Sequence, residues 1–235
     1  YHTYPSLWYT LKNKAKYFTD FFIEVLRNID INKENLINLY LDGDDKNFKL
    51  TKLNIGAGDS HKKGRSVIIL NFINDYRIVY KPRSLSIDNK FKEFCDFINS
   101  QDIPGYLDLQ NPIIYTKDDY GFVSFVKYKP CKNKKELNNY YHRIGELLAL
   151  LYLFDSKDCH HENIIAHGDM PVIIDLETLF HGSLMEYTND KEESLLENSV
   201  LETLLLPRKM KMNNKTDKVL DIGGVGAFKE QECPI

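Results

Sequence analysis

Asp158, His160 and Asn163 share one polar run, Asp158-Cys159-His160-His161-Glu162-Asn163, and Asp175 follows within Ile173-Ile174-Asp175-Leu176-Glu177. Phosphoryl transfer needs a carboxylate to orient the attacking hydroxyl and oxygen ligands that fix Mg²⁺ against the phosphates. An Asp on a loop, an Asn five residues later and an Asp at a strand end supply these groups. The interval from Asn163 to Asp175 suits a short hairpin that brings both ligands to one metal, with the adjoining isoleucines anchoring the backbone. Asp, His and Asn also cluster in ordinary loops as turn formers and caps, and either half alone fits that blander reading. Both halves in order fit it poorly. His160, His161, Glu162 and His167 offer a metal-hydrolase site instead, but adjacent loop histidines lack the one-face spacing of a His-Glu-x-x-His helix.

Upstream, Lys81 ends an apolar run, where a kinase-like fold places its phosphate-binding lysine. By analogy with the kinase ion pair its partner is Glu93 on the next helix, although spacing does not select Glu93 over Asp96. Gly58-Asp59-Ser60-His61-Lys62-Lys63-Gly64-Arg65 precedes the first expected strand. Its glycines and cations could cover phosphates through backbone N–H groups and charge, though it is neither a Walker loop nor the protein-kinase Gly-rich loop. The order Asp-x-His-x-x-Asn then Ile-Asp-Leu resembles the catalytic and metal loops of kinases, the lipid-kinase style especially. In that resemblance Asp158 orients the hydroxyl with His160 beside it, while Asn163 and Asp175 hold metal and Glu177 assists.

The elements that must position these residues are legible from periodicity. Leu7, Leu11, Phe18, Phe21, Phe22, Val25 and Leu26 recur at helical spacing, so residues near 5–28 form an amphipathic helix. A short helix follows around Lys33 to Leu41. Residues 43–66 are charged and glycine-containing, without helical periodicity. Val67–Phe72 and Arg77–Lys81 are β-rich runs about Asn74-Asp75, a hairpin pattern ended by Pro82. Asp88 is placed to cap a helix carrying Phe91, Phe94, Cys95, Phe97 and Ile98. Strands fit Pro112–Tyr115 and Gly121–Lys127, and a long helix fits about Lys135 to Phe154. Its expected buried stripe is Leu137, Tyr141, Ile144, Leu148, Leu151 and Tyr152. A polar loop, Ile164-Ile165 and a strand at Val172–Ile174 complete the series.

The fold class is therefore α+β. The expected divisions are an N-terminal helical segment at 1–57, a small mixed lobe at 58–130, and the start of a helical lobe at 131–235. With 235 residues the chain can bury a sizeable core. Its net charge of -3 gives no sign of a nucleic-acid partner. Cys95, Cys131, Cys159 and Cys233 lie far apart, which predicts reduced thiols in a cytoplasmic protein and no zinc cluster. No apolar run has membrane-spanning length. The chain starts at Tyr1 and is expected to be part of something longer.

Taken together, these segments resemble the class II lanthipeptide synthetases, the LanM type. The likeness rests on Gly58-Asp59-Ser60-His61, Val79-Tyr80-Lys81-Pro82-Arg83-Ser84, Tyr120-Gly121-Phe122-Val123 and Asp158 through Asn163. It continues through Ile164-Ile165-Ala166-His167-Gly168 and Val172 to His181, then Ser199-Val200-Leu201 with Leu205-Leu206-Pro207. The resemblance implies a kinase-like, lipid-kinase-like N-lobe with an antiparallel sheet and the start of a helical C-lobe. It implies ATP and Mg²⁺ as cofactors, and phosphorylation of Ser or Thr in a leader-bearing precursor peptide. Elimination of phosphate would then leave dehydroalanine or dehydrobutyrine. It carries Lys81, Asp158, His160, Asn163 and Asp175 into the phosphoryl-transfer site. Lys81, Asp59, His61 and His160 are its candidates for elimination. The family's zinc-binding cyclase domain and its later Arg and Thr motif are not seen before Ile235, so the cyclase is expected as a partner domain. Two other readings remain at this stage: a kinase-like module that binds peptide or nucleotide without catalysis, and a small-molecule kinase.

Overall fold

Alternation along Ile68-Ile69-Leu70-Asn71-Phe72 puts Ile68, Leu70 and Phe72 on one face of a strand, and the computed structural model buries all three. It describes residues 4–56, 62–180, 199–213 and 216–226, and the expected site residues Asp59 and His61 lie outside these. The architecture is mixed helix and antiparallel sheet, α+β as expected, in two compact units.

The first unit comprises residues 1–86 and 113–125. It contains α1 (Pro5–Ile31), α2 (Lys33–Tyr40), β1 (Leu50–Ile55), β2 (Ile68–Phe72), β3 (Arg77–Lys81), β4 (Ile114–Thr116) and β5 (Gly121–Ser124). The strands form one antiparallel sheet in the order β1-β2-β3-β5-β4. β5 pairs with β3, which is why residues 113–125 return to this unit after an excursion elsewhere. The divisions expected at 57 and 130 follow the chain, whereas the compact units interleave along it.

Phe21, Val25 and Ile29 of α1 and Leu36, Ile37 and Leu41 at α2 pack with Ile68, Leu70, Phe72, Ile78, Tyr80 and Phe122 of the sheet. Buried tyrosines need partners for their hydroxyls, and two asparagines of the α1 segment supply them. Asn28 Nδ2 donates to Tyr80 Oη at 3.0 Å, Asn32 Nδ2 to Tyr120 Oη at 2.9 Å, and Tyr115 Oη to Asn32 Oδ1 at 3.1 Å. Burial pushes the Tyr80 hydroxyl up to about 12. The stretch 43–66 contains β1, which sequence periodicity does not reveal. It is an edge strand with exposed Thr51 and Lys52 and a register irregularity between Leu50 and Lys52, so it shows no regular alternation.

The second unit comprises residues 87–112 and 126–235. Its elements are α3 (Ser86–Asn99, all but the first residue), α4 (Lys134–Leu153), the hairpin β6 (Ile164–His167) and β7 (Met170–Ile173), and the pair β8 (Lys209–Asn213) and β9 (Thr216–Asp221). α3 starts at Ser86, so Asp88 lies inside its first turn and is buried; it is not the cap. Asn133 caps α4, its Oδ1 accepting from Glu136 N–H at 2.9 Å, while Glu136 Oε2 accepts from Lys132 N–H at 2.7 Å. The buried stripe of α4 is Tyr140, Ile144, Leu147 and Leu151, with Arg143 between them. Tyr141 and Tyr152 are exposed, which corrects the stripe expected from sequence. The helix is apolar over so much of its circumference that two stripes fit its periodicity, and Arg143 decides between them.

Among the described residues, no helix is long and apolar enough to cross a membrane.

Candidate functional site

The polar run after α4 is a loop whose backbone is fastened at several points. Ser156 N–H donates to Leu151 O at 2.9 Å, Cys159 N–H to Thr203 O at 2.9 Å, and Asn163 N–H to His160 O at 2.9 Å. Cys159 is buried, with its sulfur 3.3 Å from Ser156 Oγ. Asp158 and His160, flanking it, remain partly exposed. The apolar side of the loop is thereby fixed in the core, while Asp158 and His160 are left partly outside it.

Asn163 organises these side chains. Its Nδ2 donates to the Asp158 carbonyl at 2.8 Å and lies 3.2 Å from His160 Nδ1. A carbonyl only accepts, so this contact fixes the amide orientation and leaves Asn163 Oδ1 available as a ligand. His160 Nδ1 is 3.1 Å from Asp158 Oδ1, and its Nε2 is 3.5 Å from Glu162 Oε2. The imidazole therefore sits between two carboxylates.

The hairpin β6–β7 brings Asp175 to this loop. Ile164 pairs with Ile173, and the next N–H, that of Ile174, donates to the Asn163 carbonyl at 2.9 Å. Asn163 enters the hairpin where Asp175 leaves it. Asp175 Oδ1 accepts from Glu177 N–H at 3.2 Å, and buried Leu176 and Leu179 hold the segment that follows. Burial pushes the Cys159 thiol up to about 11. The Ser156 hydrogen bond opposes that rise, and the carboxylates of Asp158 and Asp175 both add to it. The two carboxylates thus act on the same sulfur. Asp158, His160 and Asn163 are in mutual contact, and the hairpin holds the backbone next to Asp175 against Asn163.

The remaining candidates are distributed differently. Lys81 closes β3 in the first unit and is only 5% exposed; lysine is rarely buried so far without a pairing or functional reason. Its register partner on β5 is Gly121. Glu93 belongs to α3 in the second unit, is exposed, and accepts from Lys90 Nζ at 2.6 Å and Asn89 Nδ2 at 2.8 Å. Asp96 pairs with Lys92 on the same helix. The connection between β1 and β2 holds the glycine- and lysine-containing segment; its described part includes Lys63, over the Tyr17 ring, and Arg65, ion-paired with Glu24. His167 lies at the far end of β6 from Asn163, with Nδ1 2.6 Å from Lys127 O and Nε2 3.0 Å from Lys129 Nζ. Among the described residues, no three His, Cys, Asp or Glu side chains converge to hold a metal. The histidine-based hydrolase site has no such support.

One group of contacts has no signal in the sequence. Arg143 of α4, buried, donates through Nε to Asp108 O and through Nη1 to Asp169 O and Oδ2, each at 2.9 Å. Asn139 Nδ2 adds a bond to Asp169 Oδ2 at 3.1 Å. This clamp holds the turn of the β6–β7 hairpin to α4. Burial works against the charged form of Asp169, but the Asn139 and Arg143 hydrogen bonds and the guanidinium charge keep its carboxyl below the usual range.

Over residues 4–235 the chain matches the family described as a domain of unknown function, DUF4135. Over 215 residues it is 29% identical to the lacticin 481/lactococcin biosynthesis protein LcnDR2 of Lactococcus lactis subsp. lactis, covering 87% of this chain and 23% of that protein. The chain spans about a quarter of that relative's length. With the match running through both compact units and the whole Asp158–Asp175 arrangement, the chain belongs to the DUF4135 family, a dehydratase-region family of the LanM-type lanthipeptide synthetases.

Proposed function

We propose that this chain catalyses ATP-dependent dehydration of Ser and Thr in a lanthipeptide precursor, by phosphorylation followed by elimination of phosphate. The observation that carries this reading is the β6–β7 hairpin, whose Ile164–Ile173 pair and Ile174–Asn163 bond hold the segment that carries Asp175 beside the loop that carries Asp158, His160 and Asn163. Family membership and the name of the lactococcal relative, a lantibiotic biosynthesis protein, support the same substrate class. A lysine closing the third strand of an antiparallel sheet, with a helix next in the chain, fits a kinase-like N-lobe.

Asp158 orients the Ser or Thr hydroxyl and accepts its proton as the oxygen takes the γ-phosphoryl group, with release of ADP. The oriented amide oxygen of Asn163 and the Asp175 carboxylate would form a hard oxygen pair able to hold Mg²⁺, which would supply charge neutralisation at the phosphates. Lys81 is assigned to the nucleotide phosphates. In the second step a base removes the α-proton, the Cβ–O bond breaks, and phosphate leaves as the alkene forms. His160 is assigned to this step with Lys81, together with Asp59 and His61 outside the described residues. The wider reading is a cytoplasmic synthetase whose precursor carries a leader and whose zinc-dependent cyclase domain closes the rings.

The test is to incubate the parent synthetase with ATP, Mg²⁺ and a Ser/Thr/Cys-rich precursor and follow peptide mass. Gain of phosphate followed by net loss of water is expected. Nucleotide binding with unchanged peptide mass would point to a non-catalytic module instead.

A further inference from the structure

Helix α1 carries a second pattern that the proposed chemistry does not use. Tyr4, Trp8, Leu11, Ala15, Phe18, Phe22, Val25 and Ile29 recur at strictly alternating spacings of four and three. That is the seam of a coiled coil, narrower than the apolar face of a helix lying on a sheet. The last positions, Val25 and Ile29, are buried in the first unit. Phe22 is half-buried, and the positions before it are open: Leu11 is 53% exposed and Phe18 56%, and Leu7 beside the seam is 54% exposed. Ala15, in the middle, allows close approach of another backbone. On the coiled-coil wheel, Lys12 and Lys14 occupy the two positions flanking the seam, those that set partner choice through charge. Between Pro5 and Thr19 the helix has three lysines and no acidic residue, although the whole chain is net negative.

We propose that the first four turns of α1 dock an acidic amphipathic helix, a polypeptide partner with apolar residues on its own seam and Glu or Asp at the flanking positions. A second copy of this chain is disfavoured by charge, since each copy brings three lysines and no acidic residue between Pro5 and Thr19 and so offers Lys12 and Lys14 no carboxylate. A lipid surface is disfavoured by continuity, since the same seam runs unbroken into Val25 and Ile29, which pack against protein. The proposal is independent of the catalytic reading and stands or falls separately from it.

Trp8 is the chain's single tryptophan and sits on the seam, so its fluorescence reports occupancy. The probe is a designed helical peptide of about three heptads with Leu on the seam and Glu at both flanking positions, titrated into the 235-residue chain. A control peptide carries Lys at the flanking positions. The expected result is a saturable shift of Trp8 emission to shorter wavelength with the Glu peptide only, lost in Leu11→Asp and Phe18→Asp. The double variant Lys12→Glu/Lys14→Glu, which leaves the seam intact, should exchange the preference in favour of the Lys peptide. Four results would overturn the proposal: no saturable shift, equal response to both peptides, self-association that Leu11→Asp abolishes, or a shift seen only with phosphatidylglycerol-containing vesicles.

Discussion

The backbone N–H of Ile174 donates to the carbonyl of Asn163 at 2.9 Å, extending the β6–β7 ladder one step beyond the strands themselves. That bond sets Ile174 opposite Asn163, so the backbone of Asp175, the next residue, is held close to a residue twelve positions earlier in the chain.

Asp158→Ala and Asp175→Ala should each stop phosphate incorporation into a precursor peptide, with Asp158→Ala slowing transfer by about 10²–10⁴-fold as expected for a lost general base. Peptide mass after incubation with ATP and Mg²⁺ measures both. Near-normal incorporation by either variant would remove the assignment.

Gly121 faces Lys81 across the β3–β5 pair. A Cβ there would lie 2.7 Å from Leu85 Cγ and 3.0 Å from the Tyr115 carbonyl oxygen. Gly121→Ala should destabilise the fold by about 1–3 kcal/mol through overpacking, read from denaturant midpoints. Combined with Leu85→Ala, the total loss should be smaller than the sum of the two single losses, because the two sites share one space. Strict additivity would show that Leu85 is not the obstacle.

Arg143→Met should cost about 2–4 kcal/mol, because it removes three bonds from a buried guanidinium and leaves Asp169 with Asn139. The pH dependence has a definite sign. The folded state holds the Asp169 carboxyl below its ordinary value, so the stabilisation is complete above the unfolded carboxylate range, about pH 4. It is lost as pH falls through the folded value. The gap in stability between wild type and Arg143→Met should therefore narrow below about pH 4. Urea melts at several pH values measure it, and a gap unchanged by acid would mean that the Asp169 charge contributes nothing.

Burial pushes the thiols of Cys95 and Cys159 up to about 11. At pH 8 iodoacetamide should leave both unmodified in the native protein and label both after unfolding, because the thiolate is the reacting form. Mass mapping of the alkylated peptides decides this. Rapid native labelling of Cys159 would show that the Asp158–Asn163 loop is not anchored as described.

Much of the candidate site was legible in the chain alone, because it depends on near neighbours. The β6–β7 hairpin follows from apolar runs around a glycine-containing turn, and the order Asp158, Asn163, Asp175 places these three candidates at the end of that hairpin opposite its turn. The strands at Ile68–Phe72 and Arg77–Lys81 were readable for the same reason, as β-rich runs on either side of Asn74-Asp75. Other features required the tertiary structure. Periodicity shows that α4 has an apolar face but not its angle, and the Arg143 bonds to Asp108 and Asp169 set that rotation. The irregular edge strand β1 is defined by its pairing with β2 and leaves little pattern of its own. The burial of Lys81 depends on β5 lying beside β3, a pairing across a long chain excursion. Local spacing decides what an element is. Which of its sides turns inward is decided by partners distant in sequence, whose packing and hydrogen bonds no local pattern encodes.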